Sequence, residues 1–274
     1  MPYAARKIFQ KNRLTIIFYH NVEPTRFQKH MIELKKHYSI LPLKEAVSKI
    51  KEGSSFGMKY PLAITFDDGP TENFRLLDTL KASKIPVTIF ICSQIANTGR
   101  HYWWRENIDG SIIEGLKKVP DSERLQVLGK NGFLETQEFA EPQSLSMDQI
   151  NRMKESGVDF QSHTRYHRCL SHCDGERSRD EILTSRKELK EMLKDDIYAI
   201  AFPDGDYSDR EISYVIEAGY EAALTVDHGF NKINADRYRL KRIGLPENID
   251  TNELMVRTSG IWEPIRWIME IISR

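Results

Sequence analysis

Short apolar runs alternate along this chain with stretches whose apolar residues recur every three or four positions, the marks of strand and helix in turn. Residues 14–19 read as a strand, and 26–37 as a helix with Phe27, Met31 and Leu34 on one face. Residues 38–41 form a short strand, and 43–51 a helix stopped by Gly53. Residues 62–66 form a strand apolar on both faces, broken by Gly69-Pro70, after which Thr71 can cap a helix carrying Phe74, Leu77 and Leu80. Residues 85–91 are β-branched, with Pro86 near the start, where a proline is tolerated. Ser146-Met147-Asp148-Gln149 and Ser208-Asp209-Arg210-Glu211 are capping boxes whose helices end at Gly157 and Gly219. Strands are expected over 158–161, 197–202, 220–226 and 239–243, a long helix over 177–194, and a closing helix over 262–272.

Strand–helix alternation repeated seven or eight times favours a parallel sheet, and this many units favours closure into a barrel. The expectation is one α/β domain over residues 1–274, a distorted (β/α)7–8 barrel. Residues 94–143 break the rhythm. They are polar apart from Tyr102-Trp103-Trp104, with helical segments at 112–116 and 122–128, and read as an insertion over one mouth of the barrel. In such a barrel the C-terminal strand ends share one face, where His20, Asp67-Asp68, His163, Pro203-Asp204 and His228 would emerge.

Composition narrows the picture. Forty acidic and forty basic residues cancel, so no global field points to nucleic acid or an anionic membrane. Three cysteines argue against a disulfide scaffold. Residues 1–13 are basic but lack the apolar core of a signal peptide, and no apolar run is long enough to span a membrane. A soluble, cytoplasmic protein is expected.

Two acids at the tip of a buried strand repel, and one pKa would rise unless a cation sits beside them. A metal resolves this if Asp68 ligates it while Asp67 stays free as a base. His163 and His167, four residues apart, can share one side of a helical turn or compact loop. With one carboxylate they make a three-ligand site that leaves positions open for water and substrate.

Thr65-Phe66-Asp67-Asp68-Gly69-Pro70 resembles the first motif of the polysaccharide deacetylases, the family-4 carbohydrate esterases with NodB-like domains, and His163-Thr164-Arg165-Tyr166-His167 resembles the second. The resemblance implies a distorted barrel and metal-dependent removal of an N- or O-acetyl group from a sugar. Asp67 would be the general base, and Asp68, His163 and His167 the metal ligands. The metal would be zinc most often, with cobalt, nickel or manganese as alternatives. Tyr19-His20-Asn21 resembles a branch that includes the poly-N-acetylglucosamine deacetylases, where the motif order is circularly shifted and the general-acid histidine, here His20, lies on the first strand.

The third motif departs from the family pattern. Ala201-Phe202-Pro203-Asp204-Gly205 lacks the arginine that would orient the base and places Asp204 where an aromatic is common. A backbone N–H at Asp204 could line an oxyanion site, and Arg242 could replace the missing cation. His228 is a candidate substrate contact or a turn residue. Trp103 and Trp104 could stack on sugar or anchor the insertion. The Cys169 and Cys173 spacing does not suit a zinc knuckle, Cys92 reads as core, and His30, His37 and His101 read as solvated surface. The alternatives are a deacylase or deformylase of a small amide or lipid-linked sugar, and a non-catalytic carbohydrate-binding barrel.

Overall fold

The computed structural model describes residues 2–105 and 109–262. Its strands are β1 (Arg13–Tyr19), β2 (Ser39–Ile40), β3 (Pro61–Phe66), β4 (Val87–Ile91), β5 (Val158–Ser162), β6 (Ala199–Ala201), β7 (Ala222–His228), β8 (Asn231–Lys232) and β9 (Leu240–Gly244). Seven of them close a parallel ring in the order β1, β3, β4, β5, β6, β7, β9, with β1 bonded to both β3 and β9. β2 lies parallel beside β3, and β8 pairs antiparallel with β1.

Around the ring run α1 (Pro2–Phe9), α2 (Pro24–His37), α3 (Leu43–Glu52), α4 (Leu77–Ser83), α5 (Gly110–Leu116), α6 (Asp121–Lys130), α7 (Met147–Lys154), α8 (Gly175–Leu193), α9 (Asp209–Ala218) and α10 (Thr251–Ser259). Alternate strand residues divide between two cores, as the two-residue period of a strand requires. Leu14, Ile16, Ala63, Phe90, Ala201 and Leu224 cluster together with Leu43, Val47 and Ile50 of α3. Ile17, Ile64, Ile89, Phe160 and Ile200 join the larger core with Phe27, Ile150, Ile182 and Val215 of the surrounding helices.

Both capping boxes form, at Ser146 and at Ser208. α9 stops at Gly219 in the left-handed region, whereas α7 ends at Lys154, short of Gly157. Thr71 does not cap a helix. Pro70 holds the N-cap position of a 3-10 turn over Thr71–Leu76, and the Thr71 hydroxyl donates to Glu72 at 3.2 Å. α1, β8 and α10 had no counterpart in the sequence reading. The helix expected over 262–272 lies outside the described residues beyond Trp262.

His30 is fully buried, not solvated. Its ring lies between the Tyr19 hydroxyl at 3.1 Å and the Ile249 carbonyl at 3.2 Å, and burial pushes its pKa down to about 4. His37 pairs with Glu33, and His101 stacks on Phe139. The three cysteines are buried and unpaired with one another. No helix among the described residues is long and apolar enough to cross a membrane.

Candidate active site

The Asp67 N–H still donates to the Tyr19 carbonyl at 2.9 Å, prolonging the β3 ladder by one residue. Strand alternation therefore turns its side chain to the inner face, as for Ala63 and Thr65. The backbone then swings into the left-handed region at Asp68 (φ +67°) and Gly69 (φ +63°). Gly69 is required there, since a Cβ would lie 2.5 Å from Ile91 Cγ2.

Inside the ring, Arg242 of β9 meets Asp67 in a bidentate pair, Nη1–Oδ1 at 2.7 Å and Nη2–Oδ2 at 2.8 Å. Its Nε donates to the Thr225 carbonyl at 2.8 Å, and the guanidinium lies 4.2 Å from the centre of the Phe18 ring. Both partners are buried. Burial alone would raise the Asp67 pKa, but the Arg242 charge, with His163 and His20 nearby, holds the carboxyl below the usual carboxylate range. Arg242, the candidate for the missing cation, lies wholly inside the barrel and not on its surface.

Asp68 faces the two histidines. Its Oδ1 lies 3.5 Å from His163 Nε2 and 3.3 Å from His167 Nε2, and one donor atom from each residue falls within 4.8 Å of the others. The Nδ1–H of His163 donates to the Ala201 carbonyl at 2.8 Å, leaving Nε2 free to coordinate. His163 and His167 lie on a compact loop, not a helical turn, with Thr164 and His167 at φ +68° and +56°. Glu181 of α8 holds that loop by accepting the N–H groups of Arg165 and Tyr166, each at 2.9 Å. Burial would raise the Asp68 pKa, yet the two imidazoles hold it well below its ordinary value. Burial would lower the His163 pKa, yet Asp68 and Asp67 raise it. Asp68 Oδ1 and His167 Nδ1 are buried without a hydrogen-bond partner among the described residues. An orphaned carboxylate oxygen facing two imidazole nitrogens fits a divalent cation of zinc type.

These groups open on a cavity of about 300 Å³ lined by Phe18, His20, Asp67, Asp68, Trp104, Lys117, His163, His167, Asp204 and Val226. A neighbouring cavity of about 200 Å³ shares His20, Asp68 and Trp104 with it.

The family model for polysaccharide deacetylase matches residues 57–223, from just before β3 into β7. The chain belongs to the polysaccharide deacetylases. It is a hydrolase of the amide or ester bonds of acetylated sugars. YxkH of Bacillus subtilis (strain 168), assigned to polysaccharide deacetylases, is 22% identical over 241 residues, covering 84% of this chain and 71% of YxkH. Among solved structures, the deacetylase PplD of Streptococcus pyogenes, in complex with acetate, aligns with a TM-score of 0.67 at 19% identity, covering 90% of this chain and 98% of PplD. IcaB of Ammonifex degensii aligns at 0.64 with 16% identity, covering 91% and 98%. A de-N-acetylase of Aggregatibacter actinomycetemcomitans aligns at 0.63 with 15% identity, covering 89% and 99%. At these identities the structures establish the shared fold.

Within this deacetylase, the sequence-expected residues separate. His20, Asp67, Asp68, His163, His167 and Asp204 meet at the cavity. Pro203 is buried next to Asp204, and Arg242 pairs with Asp67. His228 ends β7 in register with Arg242, after a register irregularity in the β7–β9 pairing, and is not among the residues lining the cavity. Trp103 and Trp104 sit in different surroundings. Trp103 is buried among Ile113, Leu128 and Phe133, whereas Trp104 lines the cavity. Asp204 (φ +52°) pairs with Lys117 at 3.1 Å, at the C-terminal end of α5. Lys117 was missed, since a lysine in a polar segment carries no signal of its own. Glu181 was missed as well, because nothing in a helix pattern marks a carboxylate that caps a distant loop.

Proposed function

We propose that this chain is a metal-dependent N-deacetylase of N-acetylated sugars, with Asp67 as general base, Asp68, His163 and His167 as metal ligands and His20 as general acid. One observation carries the reading: a carboxylate held ionised by Arg242 stands beside a three-donor cluster, and both open on one cavity. A divalent ion held there supplies Lewis-acid polarisation of the acetyl carbonyl and lowers the pKa of water.

The chain's own groups do the rest. Asp67 accepts a proton from the attacking water, and Arg242 fixes both carboxylate oxygens so that the base cannot rotate away. The backbone N–H at Asp204 is the candidate donor to the oxyanion that forms on the acetyl carbon. His20 gives a proton to the leaving nitrogen as the C–N bond breaks, yielding acetate and a free amine. The solved neighbour named for de-N-acetylation supports an N-acetyl substrate over an O-acetyl one.

The test is acetate release from N-acetylglucosamine oligomers and from O-acetylated sugars, with zinc and with a chelator. Zinc-dependent release from the N-acetylated series is expected. Sugar binding without release in any arm would favour the non-catalytic barrel.

A further inference from the structure

Two of the three proposed ligands, Asp68 and His167, sit in left-handed backbone conformations, at φ +67° and +56°. Neither is a glycine, so each conformation is unfavourable unless its surroundings hold it. The carbonyl oxygens of these two residues accept hydrogen bonds from consecutive residues outside the ring. The Tyr102 hydroxyl donates to the Asp68 carbonyl, and Trp103 Nε1 donates to the His167 carbonyl at 3.1 Å. The next residue, Trp104, lays its indole against the His167 imidazole, ring centres 3.9 Å apart. The tripeptide is itself anchored: Tyr102 is fully buried, and Trp103 is buried with the Arg124 guanidinium 5.1 Å from its ring centre.

We infer that Tyr102-Trp103-Trp104 is a positioning clamp that sets the two strained ligands for the metal. Tyr102 and Trp103 act through the ligands' backbone and Trp104 through the His167 ring, so metal affinity depends on a segment outside the barrel. His163 stands apart from it, since its ring is fixed by the Ala201 carbonyl of β6. Groups that orient ligands in this way contribute about 10–100-fold to metal affinity. The inference rests on the ligand assignment proposed above.

The experiment compares the full chain with Y102F and W103F, each of which removes one donor and keeps an aromatic ring. Zinc affinity is read by competition with a chelating dye, the cobalt-substituted proteins by visible spectroscopy, and the metal-free proteins by thermal unfolding. Each variant is expected to bind zinc about tenfold or more weakly, with an altered cobalt spectrum, while the metal-free protein still unfolds in one cooperative transition. Wild-type zinc affinity and cobalt spectrum in both variants would overturn the clamp. If W103F does not fold, Y102F alone decides. If the wild-type chain takes up no zinc, the ligand assignment fails instead.

Discussion

The two halves of the site are built by different means. Asp67 and Arg242 lie on or just beyond β3 and β9, the two strands that flank β1, so their separation is set by the hydrogen-bonded ladder of the barrel itself. Asp68 and His167 lie on loops in strained conformations and are held from outside by Tyr102, Trp103 and Glu181. The barrel supplies the proposed base ready-made. The half proposed to hold the metal rests on a second layer of contacts from outside the ring.

Substitutions that hit one half and spare the other sharpen this contrast. The largest effect is expected for H163A, which removes a ligand held by β6. It should abolish zinc uptake and acetate release together, and near-stoichiometric zinc in the purified variant would refute the assignment. D67N should lower kcat by about 10²–10⁴-fold while zinc affinity, measured by dye competition, stays within a few-fold of wild type. A parallel loss of zinc would erase the division between the halves.

R242M leaves Asp67 buried without its counter-ion and should cost about 3–5 kcal/mol in chemical denaturation. Arg242 holds the Asp67 pKa down against burial, so its removal lets that pKa rise. The acid limb of kcat/KM should therefore move to higher pH, and an unshifted limb would show that Asp67 is not the titrating base. K117A removes a half-exposed partner of Asp204 and should change stability by less than about 1 kcal/mol. Its effect belongs in KM for longer oligomers, measured against a monomeric substrate.

Much of this was legible in the chain. The ring followed from apolar runs alternating with helical periodicity, and the twin aspartates and the His-x-x-x-His pair are local motifs whose spacing carries their chemistry. Arg242 could be named only as a candidate cation, because its partner is 175 residues away and no local spacing links them. The family match, over 57–223, reaches neither Arg242 nor His20. His30 was misread although its position held the clue. It lies three residues after Phe27 and four before Leu34, on the buried face of α2. His228 was left between a turn residue and a substrate contact, because the register irregularity ahead of it cannot be seen in a strand's own sequence. The helices at 112–116 and 122–128 were found, but the hold of Tyr102 and Trp103 on the Asp68 and His167 carbonyls depends on tertiary contacts that no periodicity encodes.

The seam of the barrel falls at β1, which sits between the strand leading to Asp67 and the strand bearing Arg242. As synthesis proceeds, the carboxylate is made long before its guanidinium, and the two meet only when the last parallel strand docks on the first. Sealing the cylinder and pairing Asp67 with its counter-charge thus require the same strand, so a nascent chain stalled short of β9 holds an acid with no counter-charge and no closed wall around it.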